Sequence, residues 1–484
     1  METFVTSVGL IGIVIVASVL LSGMVERTGL PLVPVFLLIG AAMGPWGLGI
    51  ADFGFDSPDL HVLAVLGLAL LLFSDAVTLD TKKLRARKRM LWRLLGPGTL
   101  VPATVTALSA WWLLGLSAPF SAIIGAALAS TDPVLLRTVL RSKALPEAPR
   151  IALRLETGMN DVVLLPVVIL SMLLLPGGHT SVASSASVGR SLVGLFVLGP
   201  ALGALVGWVG ISALAFVRSR TALRRDYESL YALGLAFTSF AIAEAVGGSG
   251  FVAAFVAGLL VASRDVELCD CFLEFGEATA EMLLLLTFVA LGTSLIWIGL
   301  GSVDWRVILF AVIALIVRPI ALYPMLAGLN LNMRDRRLIA VFGPRGLSSL
   351  LLALLPVFAG IPNAEQIFTL TSVVVLLSIV VHGGGTAFFL RRSGVLDSPR
   401  PAEVVALNNS PAAIEAAGPI TIDEMRSLQA KGEPMVIVDA RSNANFNDDS
   451  ITAAGAVRIN PDDPVRDATQ QRLSQRSTLV VYCA

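Results

Sequence analysis

The chain has 484 residues, of which 55% are hydrophobic and only 14% charged, against roughly 25% charged in a soluble globular domain. Lysine plus arginine balance aspartate plus glutamate at 35 each, and no basic stripe interleaved with aromatics marks a nucleic-acid binder. Three cysteines are too few for a disulfide framework.

Apolar runs of about 20 residues, the length a helix needs to cross a bilayer, recur from residue 4 to about 391. Lipid offers backbone groups no partner, so such runs must be helices, and the short alternating strands of a transmembrane barrel are absent from the sequence. The pattern predicts an all-α polytopic membrane protein with about thirteen spans, roughly 4–25, 30–50, 60–78, 91–115, 119–140, 150–175, 191–217, 228–246, 250–263, 281–300, 305–329, 338–359 and 366–390. Glu2 precedes the first run without any Lys or Arg, which favours a retained helix over a cleaved signal peptide.

Alternate connections are basic: Lys82 to Arg89, Arg141 to Arg150, Arg218 to Arg225 and Arg334 to Arg337. Those between them are acidic or neutral, such as Asp52, Asp56 and Asp59, or the Gly/Ser-rich 177–189. Lys and Arg concentrate on the cytoplasmic side, so an odd number of spans places the N-terminus outside and Arg391-Arg392 inside. Shifting spans four to six by about 212 residues lands them on spans eleven to thirteen, an inverted arrangement of two six-helix repeats of the kind found in secondary transporters. Span five carries "STDPVL" and span twelve carries "FGPRGLSS" at nearly the corresponding place. Proline removes a backbone donor, so both crossing helices should break there.

Span six opens with "ETGMNDVVLLPV", an expensive place for ionisable groups. Glu156 and Asn160 share one helix face and Thr157 and Asp161 another, the two roughly 100° apart. A buried Arg345 without a carboxylate would cost several kcal/mol, and Glu156 is its candidate partner. Broken helices leave a positive and a negative end facing each other; Asp132 can balance the first and Arg345 the second. Asp161 is then without an assigned cation. Together with Thr157, Asn160 and the free carbonyls near Thr131 it makes an oxygen set suited to a hard monovalent or divalent cation. The same carboxylate can take a proton, and competition at one site suffices for antiport.

On "STDPV" (130–134), "ETGMNDVVLLPV" (156–167), "VRPIAL" (317–322) and "FGPRGLSSLLLAL" (342–354), the chain resembles the monovalent cation:proton antiporter family in its sodium/proton-exchanger branch. "PLVPVFLLIGAAMGPWGLG" (31–49), "GGSGFVAAFVAGL" (247–259) and "FVALGTSL" (288–295) match less strongly. The resemblance implies a core of broken helices moving against a dimerisation scaffold, usually as a homodimer. It implies Asp161 as the ion- and proton-binding carboxylate, with Thr131, Asp132, Thr157 and Asn160 around it, and Glu156 with Arg345 as the structural ion pair. The Asn-Asp pair implies one cation exchanged for one proton, without net charge. Cargo would be Na⁺ first and K⁺ as the nearest variant, in a prokaryotic plasma membrane, with membrane lipid as surroundings and no cofactor. One departure stands in the third span: where the family places a Glu after "LLLF", this chain has Ser74 and then Asp75, one residue and about 100° round the helix. Arg318 matches a family arginine before a proline, and a third core charge and a snorkelling helix-end residue are both open readings.

Glu244 and Glu281 read as interfacial, His61, His179 and His382 form no metal pair, and Cys269-x-Cys271 lacks the second pair that a zinc site needs. From residue 394 the composition becomes that of a Pro/Ala/Ser-rich linker, to about 416. The stretch 417–484 resembles the first half of a rhodanese domain, on "MVIVDARSN" with Asp439 and Arg441, "SITAAGAVRIN", and Cys483 after "VVY". It reads as partial, because a strand ends almost at Ala484. The resemblance makes Cys483 the persulfide-carrying nucleophile, unreactive without its loop; a regulatory tail with no sulfur chemistry is equally open. Two other classes use parts of this sequence: a membrane-anchored sulfurtransferase, for which thirteen spans are excessive, and a sulfur-anion carrier regulated by the tail. An anion carrier should show an unpaired cation, whereas the residue left over is Asp161.

Overall fold

The computed structural model describes most of residues 32–392, with gaps at 51–52, 80–86, 133–134, 137–138, 141–144, 176–184, 221–224 and 265–278 and at a few single positions. Isolated positions before 32 and short stretches of 425–482 are also described. The chain divides into two compact units, residues 1–398 and 399–484.

The first unit is helical. Its elements are α1 (Leu32–Met43), α2 (Pro58–Val77), α3 (Lys88–Leu95), α4 (Pro97–Leu114), α5 (Ala118–Ala129), α6 (Glu147–Leu173), α7 (Gly199–Arg218), α8 (Arg225–Ala245), α9 (Gly250–Arg264), α10 (Trp305–Met325), α11 (Met333–Val341), α12 (Leu347–Phe358) and α13 (Glu365–Arg392). Local chemistry sets several boundaries. Ser57 caps α2 ahead of Pro58, its hydroxyl accepting from the Leu60 amide. Asp304 and Asn332 cap α10 and α11 through the Val307 and Asp335 amides; each side-chain oxygen satisfies an orphan donor of the first turn. Gly115, at φ +67°, closes α4 in the left-handed conformation that glycine adopts without penalty.

Among the described residues, five helices are long and apolar enough to cross a membrane: Pro58–Val77, Glu147–Leu173, Gly189–Arg218, Trp305–Met325 and Glu365–Gly385. Shorter apolar helices run over Val33–Met43, Ala118–Ala129, Gly250–Arg264 and Leu347–Phe358. Two of these are halves of expected spans five and twelve: α5 stops at Ala129, and α11 and α12 are separated by an extended 342–346. The first expected span, 4–25, lies almost wholly outside the described residues. The outward faces of α4, α7 and α10 carry exposed Leu108, Leu205, Trp208, Phe216, Ile308 and Ile320, a surface that suits lipid and would be a liability in water. Exposed Trp46, Trp92, Trp111, Trp112 and Trp305 sit at or near helix ends, where aromatic belts meet the membrane interface.

Within this unit α5 packs on α4, α6 and α12, and α6 also meets α2, α3 and α11. A second group joins α7 and α8 to α9, which in turn packs on α2. The α7–α9 approach is close because Gly203 has no Cβ; one added there would press on the Ala253 backbone. Glu156, Thr157, Asn160 and Asp161 of α6 therefore lie in the packed centre, while Glu147 and Arg154 nearer its start are exposed.

The second unit contains a parallel sheet with strand order β2-β1-β3, from β1 (Met435–Asp439), β2 (Val457–Arg458) and β3 (Thr478–Tyr482). Val438 of β1 stands between Val457 and Val481. Asp439 at the end of the central strand bonds Arg441, with Nη2 to Oδ2 at 2.7 Å. That guanidinium holds the Asp439 carboxyl well below the usual carboxylate range. Cys483, Cys269, Cys271, Glu281 and His179 lie outside the described residues.

Candidate functional site

The site is assembled where the two interrupted segments cross. After Ala129 the backbone of Ser130 is extended (ψ 138°), ending α5. The Asp132 amide donates to the Pro344 carbonyl at 3.0 Å, joining the two breaks directly. One Asp132 oxygen, Oδ2, accepts from the Leu347 amide at 2.6 Å, the first residue of α12. Arg345 Nη1 donates to the carbonyls of Ala129 and Ser130 at 2.8 and 3.0 Å, the open end of α5. A carboxylate thus faces the positive end of one half-helix and a guanidinium the negative end of another. Both are buried, at 1% exposure each. Gly346 makes room for this: a Cβ there would collide with the Asp132 carboxylate. Ser378 of α13 fastens the crossing from behind, its hydroxyl accepting from the Arg345 amide at 2.7 Å. The Ser378 hydroxyl also sits 3.1 Å from Nδ1 of His382.

Helix α6 brings the remaining groups. Glu156, Thr157, Asn160 and Asp161 are all buried. The expected pair of Glu156 with Arg345 is not formed; Glu156 is bound to Arg318 of α10. Arg318 Nη2 donates to Oε2 at 2.7 Å and to Oε1 at 2.9 Å, Nε donates to Oε1 at 3.1 Å, and Nη1 reaches the Ala340 carbonyl at 2.5 Å. The reason is positional. Arg345 lies in the break itself, where its reach is taken by the carbonyl end of α5, while Arg318 faces the Glu147 half of α6 across the turn at Gly343. A Cβ at Gly343 would strike the Arg318 guanidinium. Arg318 is therefore a core charge and does not snorkel.

Asn160 Nδ2 donates to Thr131 Oγ1 at 2.6 Å, tying α6 to the broken segment. The Ser130 hydroxyl donates to Asp161 Oδ1. Ser348, in the first turn of α12, lies beside the same carboxylate. Asn160 Oδ1 is buried without a hydrogen-bond donor, and the remaining Asp161 oxygen has no donor closer than the neighbouring Ser348 hydroxyl, a rare state for interior polar atoms that asks for an explanation. Thr157 spends its hydroxyl proton on the Leu153 carbonyl at 3.0 Å, leaving lone pairs for another partner. Asp75 and Ser74 are buried on α2. A Cβ added at Gly158 of α6 would lie 3.6 Å from the Asp75 carbonyl oxygen and 3.8 Å from its Cβ, so α2 packs against α6 at Asp75.

Chemically this is an oxygen-rich environment around the Asp161 carboxylate, whose donors are neutral hydroxyls and which has the Asp132 carboxylate close by. Such a set matches a hard cation or a proton and has no place for soft-metal chemistry. Among the described residues, no three His, Cys, Asp or Glu side chains are grouped to hold a metal ion. Four residues here were not singled out in the sequence: Ser130, Ser348, Ser378 and, as a site neighbour, His382. Their available signal was small polar residues inside buried apolar segments, as in "ASTDPV" and "RGLSS", which is weak without a fold to converge them.

Comparison with known proteins follows the same outline. The sodium/hydrogen exchanger transmembrane family model matches residues 13–392. The K(+)/H(+) antiporter NhaP of Alkalimonas amylolytica is 26% identical over 387 residues, covering 79% of this chain and 66% of that protein. The K(+)/H(+) antiporter NhaP2 of Shewanella oneidensis is 28% identical over 408 residues, covering 82% and 69%. This chain therefore spans about two thirds of the length of these relatives. The sodium proton antiporter MjNhaP1 of Methanocaldococcus jannaschii superposes with a TM-score of 0.65 at 20% identity, over 80% of this chain and 98% of that one. That likeness establishes the shared helical fold. With the family match running through both broken crossing segments and α6, the chain belongs to the sodium/hydrogen exchanger transmembrane family.

Proposed function

We propose that the protein is a secondary antiporter that exchanges a monovalent cation for a proton at Asp161. The observation that carries this reading is the Asp161 carboxylate itself: 2% exposed, met by the neutral hydroxyls of Ser130 and Ser348, and set where two broken helices meet. An ionised carboxylate in a low-dielectric interior is costly unless neutralised. Either a proton or a cation neutralises it, so each loaded form can change its access while the bare anion cannot. Exchange follows from that exclusion alone. The neighbouring amide of Asn160, where a second carboxylate would carry a second charge, makes the exchange one for one and electroneutral.

Asp132 and Arg345 act on the broken helix ends, and Glu156 with Arg318 holds α6 against α10. Thr131 and Asn160 set the crossing segment against α6, with Thr157 supplying a further oxygen one turn from Asp161. The cation is Na⁺ by the motif resemblance, with K⁺ the competing cargo that the bacterial relatives' names support. The protein works as a multi-pass homodimer in a prokaryotic plasma membrane, N-terminus outside and C-terminus in the cytoplasm. It needs no cofactor.

The test uses purified protein in liposomes carrying an internal pH dye. External Na⁺, K⁺, Li⁺ or choline is jumped, with and without a clamped potential, for wild type and Asp161→Asn. Cation-driven proton movement that ignores the potential and vanishes in Asp161→Asn is the expected result. Proton movement with none of these cations, or full exchange by Asp161→Asn, overturns the reading.

A further inference from the structure

Ser378 is tied to the crossing in a way that the antiport chemistry above does not use. It sits on α13, sealed at 0% exposure, and its hydroxyl accepts from the Arg345 amide at 2.7 Å. Inside a helix a serine usually returns its own proton to a carbonyl three or four residues back. Ser372, earlier on the same helix, does so, donating to the Phe368 carbonyl at 2.8 Å. For Ser378 the acceptor at hand is Nδ1 of His382, 3.1 Å away and four residues on, along the same helix face.

The two neutral forms of His382 differ in what they leave unpaired. With the proton on Nε2, Nδ1 offers a lone pair and takes the Ser378 proton, so the hydroxyl both accepts and donates. With the proton on Nδ1, the ring donates to the Ser378 carbonyl, 3.2 Å away. The Ser378 proton then stays buried with no bonded acceptor among the described residues, and a buried donor left unmade is costly. The first form therefore prevails, and a chain runs from the Arg345 amide to Ser378 and on to His382.

That chain ends on the part of the crossing that most needs an anchor. The extended 342–346 has no helical ladder of its own, and Pro344 brings no amide, so the Arg345 amide must be held from outside the segment. From Arg345 the contacts continue to the site: its guanidinium holds the Ala129 and Ser130 carbonyls at 2.8 and 3.0 Å, and the Ser130 hydroxyl donates to Asp161. We propose that His382 is a positioning residue for exchange, a neutral acceptor that orients the Ser378 hydroxyl and thereby holds Arg345 and the end of α5 against Asp161. This rests on the antiport reading above. His382 touches no cargo; it supplies a lone pair and no titrating charge.

The experiment separates lone pair, shape and charge. An Asn side chain places its carbonyl oxygen close to where His carries Nδ1, Gln reaches toward the place of Nε2, and Leu has no acceptor. Exchange is measured in liposomes with Na⁺ and K⁺ from neutral to alkaline pH, per folded molecule. The proteins are wild type, His382→Leu, His382→Gln, His382→Asn, Ser378→Ala and Ser378→Ala with His382→Leu. Losing one neutral hydrogen bond, His382→Leu should lower maximal turnover about fivefold and leave the cation KM unchanged; fivefold corresponds to about 1 kcal/mol. Ser378→Ala should be at least as slow, and adding His382→Leu to it should change nothing further. His382→Asn should recover wild-type turnover and His382→Gln should not. Unchanged turnover in His382→Leu, equal loss in all three His382 variants, or an effect of His382→Leu that persists beside Ser378→Ala overturns the proposal. So does a step in the wild-type rate against pH that His382→Asn abolishes, because His382 would then act by its charge. Should His382→Leu fail to assemble, the Asn and Gln variants, with and without Ser378→Ala, give the same comparison. Asp161→Asn runs alongside: exchange surviving there removes the antiport reading, whereas exchange lost there without a difference between the Asn and Gln variants removes the role of His382 alone.

Discussion

The partner of Glu156 can be decided by a double-mutant cycle. Both side chains of the Glu156–Arg318 pair are almost sealed from solvent, at 4% and 3% exposure, and three charge-assisted bonds of 2.7–3.1 Å join them. Removing one member of such a buried pair leaves the other uncompensated, a loss of about 3–5 kcal/mol. Glu156→Gln and Arg318→Met should each incur it. The double variant removes the same interaction once, so its cost should fall short of the sum by about 3 kcal/mol. Arg345 behaves differently, because its bonds go to the Ala129 and Ser130 carbonyls. Glu156→Gln and Arg345→Met should therefore combine nearly additively, to within about 1 kcal/mol. Reversible denaturation in mixed micelles, followed by tryptophan fluorescence, reads all six proteins. A coupling with Arg345 as large as that with Arg318 would refute the assignment and restore the pairing expected from the sequence.

Gly346→Ala should leave the protein inserted in the membrane but cut exchange at least tenfold, because the new methyl displaces the Asp132 carboxylate that caps α12; liposome exchange beside a membrane-integration control checks this. Asp132→Asn keeps the shape of the cap and loses its charge, so it should cost only about 1 kcal/mol in the same denaturation assay. In the second unit, the depressed carboxyl of Asp439 contributes stability that is fully present above the ordinary aspartate value, about pH 4, and is lost as pH falls toward the folded value. The protection factors of the 435–441 amides in the whole chain, with intrinsic exchange divided out, should therefore be flat from neutral pH down to about 4 and fall below it, and Arg441→Met should flatten most of that fall.

How much of this was legible in the residues differs from one element to the next. The apolar runs, the basic connections and the Pro- and Gly-marked interruptions at 132–133 and 343–346 follow directly from composition and backbone chemistry. They specify helices in lipid, their alternation and the two places where a helix must stop. The i, i+4 spacing of Glu156 with Asn160 and of Thr157 with Asp161 divides these residues between two faces without any fold. Opposite charges at the two breaks are likewise readable, since a helix end dictates the sign it prefers. Depth in three dimensions was not readable. Arg318 and Arg345 are 27 positions apart and both plausible for Glu156; only the reach of the Arg318 side chain from α10 to α6, and the diversion of Arg345 to the end of α5, separates them. The serines were hidden for a similar reason. A hydroxyl becomes informative only when the fold shows what it meets, and for Ser348 that is the Asp161 carboxylate from the other half of the chain. The sequence by itself determined the elements and their charges, because those follow from local chemistry. Which charge meets which, and which oxygens are left unsatisfied around Asp161, was decided by the tertiary crossing alone.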